Sequence, residues 1–255
     1  MEQYALKGYM AHNPDEKLKD IVAGMLYEDI INLKIRPGTK LNINQMAAEL
    51  GISRTPVADA VAHLTDIGFV TPHENTNGSY VLSLDIDDMM KLYRVRDAIE
   101  SEAASQCAHN MDEQTIYRLN GLAEAFKDSV LRRDVRGMKD TDMPFHRLII
   151  ESCGNPYIVS SYENILPKLT MYQSSMLNFI GDESRANNPW LSNVMYNHTS
   201  IVSAIRMRMP DLARSAMSDH IDSSLSFISF FGLDSRNPFE GIFRTTYSKR
   251  AFSPW

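Results

Sequence analysis

Asp142 and His146 stand four residues apart in "TDMPFHRLII", so a helix there carries both on one face. His198 and His220 follow on two later helical stretches. Three neutral imidazoles and one carboxylate suit a divalent transition metal such as Zn, Ni or Mn. Helical bundles build such sites from side chains on facing helices. A single helical histidine is more often a surface or satisfied core residue, so spacing alone makes the metal the minority reading. With an open coordination position the same four residues could activate water in an enzyme. No acid or base stands out beside them.

A second stretch, "GISRTPVADAVAHLTDIG" (residues 51–68), could do a different kind of chemistry. Ser53 is a good N-cap, and Pro56 falls in the first turn, where a missing N–H costs little. Val57, Ala60, Val61 and Leu64 repeat at helical spacing and form an inward face. Arg54, Thr55, Ala58, Asp59 and Ala62 are left outside. Such a helix could offer Arg54 and Thr55 to base edges and its amide-rich N-terminus to phosphate. The rival reading is ordinary helix packing with surface polar residues.

The elements that must position these groups fall into two textures. Leu18, Ile21, Val22, Met25 and Leu26 mark an amphipathic helix over about residues 15–34, stopped by the Pro37-Gly38 turn. In "NINQMAAELG", Asn42 can cap the next helix, Gln45 can reach back to complete a capping box, and Gly51 ends it. After the third helix closes at Gly68, "FVTPHENTNGSYVLSL" reads as two short strands about an Asn77-Gly78 turn. Three helices and a hairpin spell a winged helix-turn-helix with a small β-hairpin wing. From about residue 85, helical patterns run over 85–109, 112–133, 135–153, 156–180, 191–209 and 210–231, an all-α bundle of about six helices. The reading is therefore a mainly α chain: a winged domain over 1–83, a helical domain over 84–231 and a mixed, aromatic C-terminal tail over 232–255.

Composition narrows the function. The chain has 255 residues, 44% of them hydrophobic, and a formal net charge of −6. Residues 1–83 hold seven Lys/Arg against ten Asp/Glu, a balance of −3 that counts against indiscriminate binding to nucleic acid. No run approaches the roughly 18 apolar residues of a membrane span, and the N-terminus lacks a signal-like apolar core. Cys107 and Cys153 match no zinc or redox spacing and read as buried thiols. A cytoplasmic protein without membrane partners is expected.

The sequence resembles the GntR family of bacterial transcription regulators, in the FadR subfamily with an FCD-type ligand domain. The resemblance rests on "LKIRPGTKLNINQMAAELGISRTPVADAVAHLTDIGFV", then "YRVRDAIESEAA", "DMPFHRLIIESCGNPYI" and "NHTSIVSAIRMRMPDLARSAMSDHI", in that order. It covers roughly residues 15–230. It implies that Asp142, His146, His198 and His220 are the FCD metal ligands and that Arg96 faces an effector pocket. The bland alternative for Arg96 is an i,i+4 surface ion pair with Glu100. It also implies operator contact by Ser53, Arg54 and Thr55, with Gly78 in the wing. One departure matters: the family's arginine after Pro-Val is Ala58 here, followed by Asp59. Operator recognition is then expected to lean on Arg54, Thr55 and the wing.

The resulting expectation is a homodimeric regulator that binds double-stranded operator DNA, a divalent metal and a small organic-acid or sugar-acid effector. A metal-dependent enzyme with an accessory winged-helix domain is the alternative. A protein-interaction module that no longer binds DNA is a third.

Overall fold

The computed structural model describes residues 3–12, 14–73, 76–180 and 189–232. It separates into two compact units that divide between Leu84 and Asp85.

The first unit contains helices α1 (Gln3–His12), α2 (Leu18–Ile31), α3 (Ile43–Leu50) and α4 (Arg54–Asp66), with strands β1 (Lys40–Leu41), β2 (Val70–His73) and β3 (Thr76–Val81). Ile21, Val22, Met25, Leu26 and Ile30 of α2 are buried where that helix packs on α4. From α4, Val57, Ala60, Val61 and Leu64 are the buried residues, as their spacing requires. The Asn42 side chain accepts from the Gln45 N–H, and Gly51 ends α3 in the left-handed conformation. The reciprocal half of the capping box does not form, because the Gln45 amide donates to Glu49 one turn on instead. Ser53 takes the N-cap position of α4 with extended backbone, but its side chain makes no capping hydrogen bond.

The wing differs from expectation in its register. The sheet runs β1–β3–β2, antiparallel throughout, and Asn77-Gly78 lie inside β3 rather than at the turn. His73 pairs with Thr76, so the connection falls on residues 74–75, outside the described residues. The third strand supplies the reason. Lys40 and Leu41 pair with Tyr80 and Ser79, a long-range ladder that draws the dipeptide into the strand. Gly78 has a packing role there: a Cβ at this position would stand 2.8 Å from Lys40 Cε.

The second unit contains α5 (Ile86–Asn110), α6 (Glu113–Arg132), α7 (Val135–Ser152), α8 (Pro156–Ile180), α9 (Pro189–Arg206) and α10 (Pro210–Gly232). Asp85, Asp112 and Asp134 cap α5, α6 and α7 by accepting from the N–H groups of Asp88, Thr115 and Gly137. Helix α5 is the central element, packing against α7, α8, α9 and α10. Its C-terminal half buries Ala103, Ala104, Cys107 and Ala108, small side chains that let neighbours approach closely. The fold class is that expected: mainly α, a winged helix-turn-helix followed by a helical bundle. Residues 233–255, nearly all of the C-terminal tail, lie outside the described residues.

Candidate metal centre

Three helices deliver the cluster. Asp142 and His146 project from one face of α7, while α9 brings His198 and α10 brings His220; all four are buried. One donor atom from each lies within 4.8 Å of every other. His146 Nε2 is the hub, 3.2 Å from His220 Nε2 and 3.5 Å from His198 Nε2. Asp142 Oδ1 stands 3.4 Å from His198 Nε2 and 3.8 Å from His146 Nε2. A tetrahedral metal with bonds of about 2.0–2.1 Å sets neighbouring nitrogens about 3.3 Å apart, so the spacing fits an ion. Phe126 and Phe145 close against the His198 ring, with centroids 4.6 and 4.4 Å away.

The electrostatics fit the same chemistry. Burial first, then the nearby His146 and Arg96, holds His198 well below the usual imidazole range. His220 is depressed in the same way, by burial and then by His198, His146 and Arg96. Both rings are therefore neutral and carry lone pairs at physiological pH, as metal ligation requires. Burial pushes the Asp142 carboxyl up, with His146 and Arg96 opposing it. Three nitrogens and a carboxylate converging in a dry interior cannot all satisfy one another; a cation relieves them.

Around the cluster lies a layer that spacing did not reveal. Glu100 Oε2 stands 2.6 Å from His146 Nδ1, although the ring N–H is not aligned on that oxygen. A carboxylate there favours a proton on Nδ1 and leaves Nε2 as the donor toward the cluster. Arg96 Nε donates to Glu100 Oε1 at 2.7 Å, and both side chains are only 1% exposed. The i,i+4 pair weighed for the surface is thus present but buried. Burial alone would raise Glu100, yet Arg96 and His146 outweigh it and hold the carboxyl down at about 2. Gln173 of α8 donates to Asp142 Oδ2 at 3.1 Å. The signal for Glu100 was its place one turn after Arg96. Gln173 had none, because nothing local ties α8 to α7.

In the winged unit, Ser53, Arg54, Thr55 and Asp59 are exposed at the start of α4, and Ala58 is half-buried. Gly78 sits in β3, against Lys40, whose Nζ lies 5.9 Å from the Tyr80 ring centre.

Residues 18–81 match the gntR family of bacterial regulatory proteins, and residues 91–223 match the FCD domain. The chain belongs to the GntR family. Its second unit is an FCD domain, and the four clustered residues all lie within the matched span. Among the relatives of this GntR protein is the HTH-type transcriptional repressor RspR of Escherichia coli, 24% identical over 82% of this chain and 88% of that protein. The gluconate operon transcriptional repressor of Bacillus licheniformis is also 24% identical, over 79% of this chain and 81% of its own. The solved E. coli McbR/YncC shares the fold, with a TM-score of 0.67 and 16% identity over 84% of this chain and 98% of that one. These regulator names give the enzyme alternative no support. Among the described residues, no helix is long and apolar enough to cross a membrane.

Proposed function

We propose that this GntR protein is a cytoplasmic, homodimeric transcription regulator that binds operator DNA through α4 and the wing and a metal-assisted carboxylate effector in its FCD domain. The observation that carries the effector half is the buried cluster of Asp142, His146, His198 and His220 backed by Glu100 and Arg96. Four donors fill a four-coordinate ion, and leave one or two positions open on a Zn, Ni or Mn ion that takes five or six ligands. Oxygens of a small carboxylate suit those positions, and the Arg96 fork, shared with Glu100, supplies positive charge beside them. The relatives named as operon repressors support the DNA half. A two-fold dimer would present two copies of Arg54 and Thr55, at the mouth of α4, to a palindromic operator.

When bound, the ion supplies a Lewis-acid anchor for the acid's oxygens. The chain's own residues hold and exclude: Phe126 and Phe145 keep water from the His198 side, and Glu100 orients His146. An effector shifts DNA affinity only as far as it binds the free and DNA-bound arrangements differently.

The test is elemental analysis of untagged protein, followed by titration onto duplex DNA from its own promoter region with and without organic and sugar acids. One divalent ion per subunit, and an acid that changes DNA affinity only in the metal-loaded protein, is the expected result. No stoichiometric metal and no melting-temperature change with chelator would remove the site.

A further inference from the structure

A winged domain with more acid than base must find positive charge somewhere before it can hold a phosphate backbone. Residues 1–83 hold seven Lys/Arg against ten Asp/Glu, and Ala58 stands where the family's pattern has an arginine. The hairpin of the wing offers no cation: residues 69–84, which include β2 and β3, contain one Glu and no Lys or Arg. Lys34 is already engaged, its Nζ 3.1 Å from Asp29 Oδ1.

The third strand brings a cation to the sheet. Lys40 of β1 pairs directly with Tyr80 of β3, and Leu41 with Ser79. Side chains alternate between the faces of a sheet, so Leu41, Ser79 and Val81 share one face and Lys40, Gly78 and Tyr80 share the other. Leu41 and Val81 are buried, which makes theirs the core face, and Lys40 is exposed.

The Lys40 side chain crosses onto β3. Its Nζ lies 5.9 Å from the Tyr80 ring centre, within the reach of a cation–π contact. A Cβ on Gly78 would stand 2.8 Å from Lys40 Cε and 3.5 Å from its Nζ, so the charged end of the lysine occupies the space that a side chain at 78 would take. The cation thus sits on the hairpin although it belongs to another strand. A lysine ammonium is a compact charge with three rotatable donors, suited to a phosphate oxygen whatever base lies beside it.

We propose that Lys40, laid over Gly78 and against Tyr80, is the phosphate anchor of the wing on duplex DNA, with Gly78 a positioning residue that acts through Lys40. This rests on the operator-binding reading above and names the contact that the wing makes. Arg54 is then the reader of bases, and Lys40 holds the backbone independently of sequence.

Titration of the full chain onto two duplexes, one from its own promoter region and one of scrambled sequence, tests the anchor over about 50–200 mM salt. Lys40→Met keeps the length of the side chain and removes its charge. It should weaken both duplexes by the same factor, about threefold or more at the lowest salt, and lower the slope of log affinity against log salt by about one. Lys40→Arg should keep the parental slope. Gly78→Ala should weaken binding in the parent but add nothing to Lys40→Met, the non-additivity expected of residues in contact. Arg54→Ala should weaken the promoter duplex more than the scrambled one. Melting temperatures of the Lys40 variants should stay near the parent's, because the side chain is exposed. A parental salt slope in Lys40→Met, while Arg54→Ala still weakens the promoter duplex, overturns the anchor and leaves the operator reading standing. A further loss from Gly78→Ala on top of Lys40→Met overturns the role given to Gly78. If the full chain binds neither duplex, the operator reading falls and the anchor falls with it.

Discussion

The two units place their candidate functional residues differently, one on its surface and the other in its core. In the winged unit the core is apolar, with Val57, Ala60, Val61 and Leu64 under α4, and Ser53, Arg54 and Thr55 stand on its surface. In the helical unit the chemistry is the core: Arg96, Glu100, Asp142, His146, His198 and His220 are all buried between helices. Surface residues can change without disturbing the packing that presents them. Buried charges cannot, because each is compensated by the next and removing one strands its partner. Change at the surface residues of the first unit should therefore touch binding alone, and change at the buried charges of the second should touch stability and metal together.

The sharpest way to break this contrast is Glu100→Gln. The variant keeps the shape but leaves Arg96 as a buried charge without its counter-ion, a loss of about 3–5 kcal/mol. Metal affinity should fall by about 10–100-fold as His146 loses its orienting carboxylate. Chemical denaturation of the metal-free protein and competition with a chelator measure the two losses separately. Metal affinity unchanged within twofold would reduce Glu100 to a structural partner of Arg96.

Acidification should come next in size. His198 and His220 have folded-state pKa values below their unfolded ones. The unfolded chain then binds more protons below pH ~6.5, so the stability these rings contribute is present above that pH and lost as pH falls. Each can cost up to about 1.4 kcal/mol per pH unit in that window. Asp142, raised by burial, acts in the opposite sense and only above its unfolded value near pH 4, which tempers the slope. Melting of chelator-treated protein from pH 7.5 to 5.5 should show a falling temperature for the helical unit; a flat profile would mean the rings are not held neutral.

In the winged unit the expected effects are smaller and confined to DNA. Arg54→Ala should lower specific operator affinity by about 1–3 kcal/mol, with stability changed by no more than about 0.5 kcal/mol. A titration showing parental affinity would remove Arg54 as a reader of bases. The smallest effect belongs to Ala58→Arg, which restores the arginine of the family's pattern. It should strengthen DNA binding and steepen its salt dependence by about one unit of slope. If binding does not improve at any salt concentration, Asp59 captures the new side chain or this helix does not approach the duplex.

Local interactions are what the sequence by itself determined. Helix α8 runs over 156–180 as its pattern implies, and α5 and α6 start within a residue or two of the positions read from periodicity and caps. An aspartate that satisfies its own helix's N–H groups, or a glycine at a left-handed C-cap, needs only its neighbours in the chain. The donor types of the cluster were visible for the same reason: Asp142 and His146 share a face by helical geometry alone. Tertiary structure decided whatever depends on a distant segment. Asn77-Gly78 carries a turn signal, yet the strand it lies in pairs through Ser79 and Tyr80 with β1 some forty residues upstream, and that pairing outweighs the signal. The role of Glu100 exists only because α7 brings His146 to within 2.6 Å of it, and that of Gln173 only because α8 crosses Asp142. A charge whose worth depends on which other charge it meets in a dry interior has no signature in its own stretch of chain.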